Sequence, residues 1–201
     1  LHPSQYHCLY VTATSGTILE LYRQILDALA MDSRGTSRAV MRRRIQHQIL
    51  EMVHSKKLQL ILIIDEASML RMEVLAELHT LLQFDKDAKP FLTLVLAGQN
   101  ILVDKLSYRD ALPLASRVVA RSHLEAVNRR QMAEYLTHHL AIAGVNHELF
   151  AEDAVTAIHQ GSGGLFRKAN HLARGAIVVA AKQKSMTVDA EHVRIAATEI
   201  F

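Results

Sequence analysis

Residues Leu60–Ser68 read LILIIDEAS. The apolar run around them, Leu58–Ile64 (LQLILII), is short and rich in β-branched residues, which fits a strand covered on both faces, as in a parallel sheet. It closes on two acids, Asp65 and Glu66. The apolar pattern recurs at Phe91–Ala97 (FLTLVLA), and the stretch from about Met69 to Leu82 between the two runs has helical spacing. Strand, helix and strand with a crossover of this length predict parallel α/β construction. Upstream, Cys8–Ala13 (CLYVTA) reads as a short buried strand, with Cys8 as a small buried hydrophobe. Thr14 and Ser15 offer capping oxygens to a helix carrying Ile18, Leu21, Tyr22, Ile25 and Leu29 on one face. After the polar break MDSRGTS, a second helix runs from about Ser37 to Ser55, with Val40, Ile45, Ile49 and Val53 on one side. A further strand is predicted around Val118–Leu124. From Glu125 the pattern is helical: 129–143, 152–160, 165–184 and 189–200, punctuated by Gly144, Gly161, Gly163 and Gly164. The expectation is an α/β domain over 1–124 followed by a helical bundle over 125–201.

Composition narrows the class. The chain has 201 residues, half of them apolar and 21% charged, with 8 Gly, 3 Pro and 1 Cys. That is globular composition. A single cysteine excludes an internal disulfide framework and suits a reducing, cytoplasmic setting. The apolar runs are far shorter than the ~20 residues of a membrane-spanning helix. The N-terminal LHPSQYHCLYV lacks the basic and apolar regions of a signal peptide. It also lacks an initiator Met, which suggests a fragment. The net charge of +3 names no partner by itself. The crowding of Arg34, Arg38, Arg42, Arg43 and Arg44, followed by Lys56 and Lys57, makes a basic stripe that either grips a phosphate backbone or forms a solvated helix face.

The acids carry the chemistry. In open parallel sheets, ligands sit at the carboxyl ends of the strands. Two acids there are costly to bury without a counter-ion. A Mg²⁺ bound to phosphate oxygens resolves that cost: Asp65 holds the ion, and Glu66 orients or deprotonates an attacking water. This is the Walker B pattern with a catalytic acid; the alternative is a strand that merely ends in two solvated acids. The next strand ends in Gly98, Gln99 and Asn100, where the amide of Gln99 or Asn100 suits a γ-phosphate sensor, or simply a turn. Arg117, in LPLASRVV, is placed to reach a neighbouring subunit's nucleotide, with Arg109 and Arg121 as rivals. Arg167, in GSGGLFRKANHLA, lies in the first turn of a helix, where a cation opposes the dipole and calls for an anionic partner such as a triphosphate.

The ordered set IIDEA, LAGQN, LASRV and SGGLFRKANHL, followed by a helical bundle, resembles the AAA+ ATPases of the P-loop NTPase fold. Within them it is similar to the ExeA-like group, which includes secretion-associated ATPases and the TniB-like helpers of transposons. The resemblance spans nearly the whole chain. It implies Walker B roles for Asp65 and Glu66, sensor 1 at Gln99 or Asn100, an arginine finger at Arg117, sensor 2 at Arg167, and a helical lid over 125–201. It also implies ATP and Mg²⁺ as cofactors and a homo-oligomer with the site between subunits. Two departures stand out. Phe166 occupies a position where family members often carry Pro. No G-x-x-x-x-G-K-[ST] occurs anywhere, so the loop that cradles the β- and γ-phosphates is missing. The reading is that the first strand and this loop precede Leu1, with a natural truncation or decayed gene as the alternative, and that residues 1–201 alone bind nucleotide poorly or not at all. The implied role is a transposition helper that binds double-stranded DNA and recruits a transposase. A secretion or pilus-assembly ATPase is the alternative, and a non-hydrolysing scaffold is an alternative of another class.

Other signals are weaker. There are 12 histidines, but no H-E-x-x-H, no C-x-x-C, and His138 and His139 are adjacent rather than stacked on one helix face, so zinc is not indicated. DEAS is similar to the DEAD-type helicase motif, but the SGG-x-x-R entry and the absence of a second α/β domain argue against that family. With 5% aromatic residues, no cluster for base stacking is expected.

Overall fold

The computed structural model describes residues 2–35, 37–84 and 90–200; Thr36, within the polar break, lies outside the described residues. The chain divides into two compact units, residues 1–121 and 122–201.

The first unit is α/β. Strand β1 (Tyr6–Thr12) is followed by helices α1 (Ile18–Ala28) and α2 (Arg38–Lys56), then β2 (Gln59–Asp65), α3 (Met72–Leu81), β3 (Leu92–Leu96), α4 (Ile101–Ser107) and a short α5 (Leu112–Ala115). The strands form one sheet in the order β1-β2-β3, parallel throughout. Crossovers through helices connect each parallel pair, as chain geometry requires.

Side-chain alternation sorts the sheet into two faces. Leu9 and Val11 of β1, Leu60, Leu62 and Ile64 of β2, and Leu92 of β3 are buried and join one core with α1, α2 and α3. Each such side chain contributes about 1.5–3 kcal/mol by leaving water. The other face differs from the sequence expectation. Ile61 and Ile63 are only half-buried, Tyr10 is 58% exposed and Val95 41% exposed. Cys8 shares that face and is exposed, not buried. A continuous apolar run signals burial without saying on which side; here the buried face carries the helices and the other stays partly open among the described residues.

Helix α1 buries Ile18, Leu21, Tyr22, Ile25 and Leu26, a stripe of the expected period. Its N-cap is Thr17 rather than Thr14 or Ser15. The Thr14 hydroxyl instead donates to Glu20 Oε1 at 3.0 Å and accepts the Gly16 N–H at 3.3 Å. Tyr22 is fully buried, and its hydroxyl makes no hydrogen bond. Burial, and then the nearby Glu77 carboxylate, push its phenol up to about 12. Thr80 eases that shift, but its hydroxyl donates to the Glu77 carbonyl at 2.7 Å.

Helix α2 buries Met41, Ile45, Ile49 and Met52, whereas Val40 is 52% exposed. The inward stripe is therefore one residue rotated from the expected one at its start, because Met41 is the side chain that reaches the core. Gln46 of α2 donates through Nε2 to the carbonyls of Thr80 (3.2 Å), Leu81 (3.3 Å) and Gln83 (3.1 Å). Those carbonyls lie at the end of α3 and just beyond it, where the helical ladder runs out, so one amide ties α2 to the end of α3.

The strand predicted at Val118–Leu124 does not form. Residues 118–124 carry no ladder bonds, and Val119 and Leu124 are 99% and 93% exposed. β-Branched residues favour a strand only where a neighbouring strand pairs with them, and β3 receives none on its outer side among the described residues.

The second unit is helical: α6 (Arg129–Ile142), α7 (Glu152–Ser162), α8 (Phe166–Lys182) and α9 (Ala190–Ile200). Asn128 and Gln131 close a reciprocal capping box at the start of α6. Ala169, Ala173, Ala176 and Ala180 of α8 are buried in the core with Leu172, Ile158 and Val193. Small residues on one stripe let α7 and α9 approach α8 closely. No helix among the described residues is long and apolar enough to cross a membrane.

Candidate functional site

Parallel packing brings the carboxyl ends of β2 and β3 together. The Ala97 N–H donates to the Ile64 carbonyl at 2.9 Å, and the Ala67 N–H donates to the Ala97 carbonyl at 2.7 Å. The turn bearing Asp65 and Glu66 is thereby laced to the segment leading into Gly98, Gln99 and Asn100. Of the residues expected at the site, these five belong to one strand-end cluster.

Gly98 permits this closeness. A Cβ there would lie 2.8 Å from the Ser68 backbone nitrogen, closer than carbon atoms normally tolerate. Gln99 and Asn100 are exposed, and their carbonyls accept the first N–H groups of α4, at Leu102 (2.9 Å) and Val103 (2.9 Å). Neither side-chain amide is engaged by another described residue, so both remain open to a ligand.

Asp65 is held from two directions. The Glu66 N–H donates to Oδ1 at 2.8 Å. The Tyr10 hydroxyl, from β1, donates to Oδ2. The Tyr10 bond first, and the Glu66 N–H second, hold the Asp65 carboxyl below the usual carboxylate range. The reciprocal effect raises the Tyr10 phenol. A depressed carboxyl stays ionised as pH falls toward its unfolded-state value, so Asp65 is an anion throughout the neutral range.

Glu66 has φ 52° and ψ 31°. A left-handed backbone at a residue with a β-carbon costs of order 1–3 kcal/mol and persists only where its surroundings enforce it. Here the enforcing contacts are visible. Lys105 of α4 donates through Nζ to the carbonyls of Ser68 (2.6 Å) and Leu70 (2.9 Å). Arg71 donates through Nε to the Ser15 carbonyl at 2.6 Å, joining the β1–α1 loop to the same turn. The result is an exposed Glu66 carboxylate beside a half-buried Asp65.

The three arginines proposed as fingers belong to the first unit and Arg167 to the second. Arg117, following α5, donates through Nη1 to the Pro113 carbonyl at 2.9 Å. Arg109 and Arg121 are exposed. Arg167 belongs to the second unit, exposed in the first turn of α8. That helix begins at a turn only glycine fits: Gly164 has φ +74°, and a Cβ on it would meet the Val127 carbonyl oxygen at 2.5 Å. Next to it, Phe166 and Tyr135 lie 4.2 Å apart by ring centroid, and Tyr135 and His139 4.4 Å. These rings, distant in sequence, meet through contacts between α6 and α8.

No group of three or more His, Cys, Asp or Glu among the described residues could enclose a metal ion. Mg²⁺ takes one or two carboxylates and completes its shell with water and phosphate oxygens. Asp65, ionised and with a spare lone pair on each oxygen, fits such an ion. Glu66 lies one residue beyond it, outside the set that Tyr10 and the backbone engage. The residues missed by sequence reading are Tyr10 and Lys105. Nothing in their local sequence marks them, because each acts through a partner 55 or 37 residues away.

Residues 1–106 match the family model described as an AAA domain. General secretion pathway protein A of Aeromonas hydrophila is 30% identical over 140 residues, which is 70% of this chain and 26% of that protein. The chain thus spans about a quarter of the length of this relative. Among solved structures, the fold is similar to Cdc6p from Pyrobaculum aerophilum, with a TM-score of 0.74 and 20% identity over 98% of this chain and 54% of that one. It is also similar to the Aeropyrum pernix ORC1 protein solved in complex with DNA, with a TM-score of 0.68 and 18% identity over 97% of this chain and 51% of that one. At these identities the two structures speak to the fold alone.

Proposed function

This chain belongs to the AAA domain family, and from that premise we propose that it forms part of an ATP-hydrolysing protein whose nucleotide site is built on Asp65 and Glu66. The observation that carries the reading is the pair of acids at the carboxyl end of the central strand, with the turn that bears them bonded through the backbone to the strand end that leads into Gln99 and Asn100. A divalent ion bound with the triphosphate would neutralise charge developing on the transferred phosphoryl group. Asp65 holds that ion's place as a fixed anion. Glu66 takes a proton from the attacking water, and the Gln99 or Asn100 amide orients that water or the γ-phosphate. Arg167, in the first turn of α8, is the proposed phosphate sensor, and Arg117 the proposed finger toward a second copy in a homo-oligomer.

The proposed partner is double-stranded DNA, with a transposase as the protein activated. The support is α2. Arg34 is tied to Asp32 at 2.9 Å and Arg38 to Glu77 at 3.0 Å, which removes two members of the expected stripe. Arg42, Arg43 and Arg44 have no ion-pair partner among the described residues, and Arg43 and His47 are exposed together. The test is duplex affinity of the complete protein with ATP across salt concentrations. Each phosphate neutralised contributes a slope of about −0.9 in log K against log salt. Replacing Arg42, Arg43 and Arg44 by Ala is expected to flatten that slope by about 3. An unchanged slope, or no duplex binding at all, rejects the DNA reading. The similarity to General secretion pathway protein A favours a second reading, an ATPase serving a secretion apparatus, and the absence of duplex binding would leave that one standing.

A further inference from the structure

The register between β1 and β2 pairs Tyr10 with Ile63 and Thr12 with Asp65. Tyr10 and Asp65 therefore lie on the same face of the sheet, two residues apart along the ladder. A phenol is long enough to cover that step, and its hydroxyl reaches Asp65 Oδ2. Tyr10 is 58% exposed. It fills no core volume, and no packing requirement explains an aromatic residue there. Phe would serve the strand as well; the hydroxyl is what the geometry uses.

We infer that Tyr10 is a positioning residue for the divalent ion, fixing the carboxylate of Asp65 in the rotamer that receives it. The inference rests on the reading of Asp65 as the ion's ligand. A carboxylate at a strand end turns freely about its last bond unless both oxygens are held. Here Oδ1 is held by the Glu66 N–H and Oδ2 by the phenol. Each bond occupies one lone pair per oxygen and leaves the other for the ion or its water shell. Partners of this kind, which orient a ligand without touching the metal, are worth about 10- to 100-fold in metal affinity.

The test is Mn²⁺ binding to the complete protein in the presence of ATP, followed by electron paramagnetic resonance of the free ion. Tyr10→Phe, which keeps the ring and removes only the hydroxyl, is expected to weaken Mn²⁺ binding by about 10- to 100-fold. The Mg²⁺ concentration that gives half-maximal turnover should rise by a similar factor, since the defect lies in holding the ion. Asp65→Asn, measured alongside, separates the two claims. If Asp65→Asn weakens Mn²⁺ binding and Tyr10→Phe does not, the role of Tyr10 is overturned and that of Asp65 stands. If Asp65→Asn leaves the affinity unchanged, both are overturned. Loss of turnover in Tyr10→Phe with unaltered Mn²⁺ affinity also contradicts a positioning role.

Discussion

Glu66→Gln is expected to leave ATP bound and to lower its hydrolysis by roughly 10²–10⁴-fold, the usual value of a general base. The substitution keeps the shape of the side chain and removes only the capacity to accept a proton. The backbone reasons for the site's geometry are untouched: the Lys105 bonds to the Ser68 and Leu70 carbonyls and the Ala67 N–H bond to the Ala97 carbonyl do not involve the Glu66 side chain. Asp65 also keeps its Glu66 N–H donor, which is a main-chain group. A fall in kcat with unchanged nucleotide affinity is the signature of a group acting in the transition state. Measuring kcat and equilibrium ATP binding of the complete protein checks it. Turnover equal to that of the unmodified protein would remove Glu66 from the mechanism and strengthen the scaffold reading.

The second large effect is expected at Gly98. Any β-carbon there lies 2.8 Å from the Ser68 nitrogen and 3.3 Å from the Ala67 nitrogen. Both atoms are backbone, so no side chain can swing aside to make room. Gly98→Val must push β3's exit away from the turn that carries Asp65 and Glu66. Overpacking of this kind costs about 1–3 kcal/mol. The functional loss should be larger than the stability loss, because displacing catalytic groups by about 1 Å is worth roughly 10²-fold in rate. Urea unfolding and kcat/KM measured on the same variant test both halves. A variant with unaltered stability and activity would show that the two strand ends can part without consequence.

What the sequence revealed and what it hid follow from the range of the interactions involved. The run Leu60–Ile64 ending in Asp65 and Glu66 announces itself, because strand, burial and acids are contiguous. The α/β order was legible for the same reason. The burial of Leu9 but not Cys8, and of Leu62 but not Ile61, depends on which face of the sheet the helices cover, and a run that is apolar at every position does not encode that. Val118–Leu124 has the composition of a strand but lacks a pairing partner, a property of the fold rather than of the segment. The Tyr10–Asp65 bond required the register between β1 and β2, which is set across a span of more than fifty residues. Lys105 was hidden likewise: a lysine on an amphipathic helix reads as solvated until its two carbonyl partners are placed beside it.

The most direct measurement is the position of Mn²⁺, found by anomalous scattering, in crystals of the complete protein grown with a non-hydrolysable ATP analogue. The account predicts one peak beside the Asp65 carboxylate, reached directly or through a single water, and in contact with phosphate oxygens. A nucleotide-bound peak with Asp65 pointing away from it, or a phosphate group seated far from the ends of β2 and β3, would contradict the account.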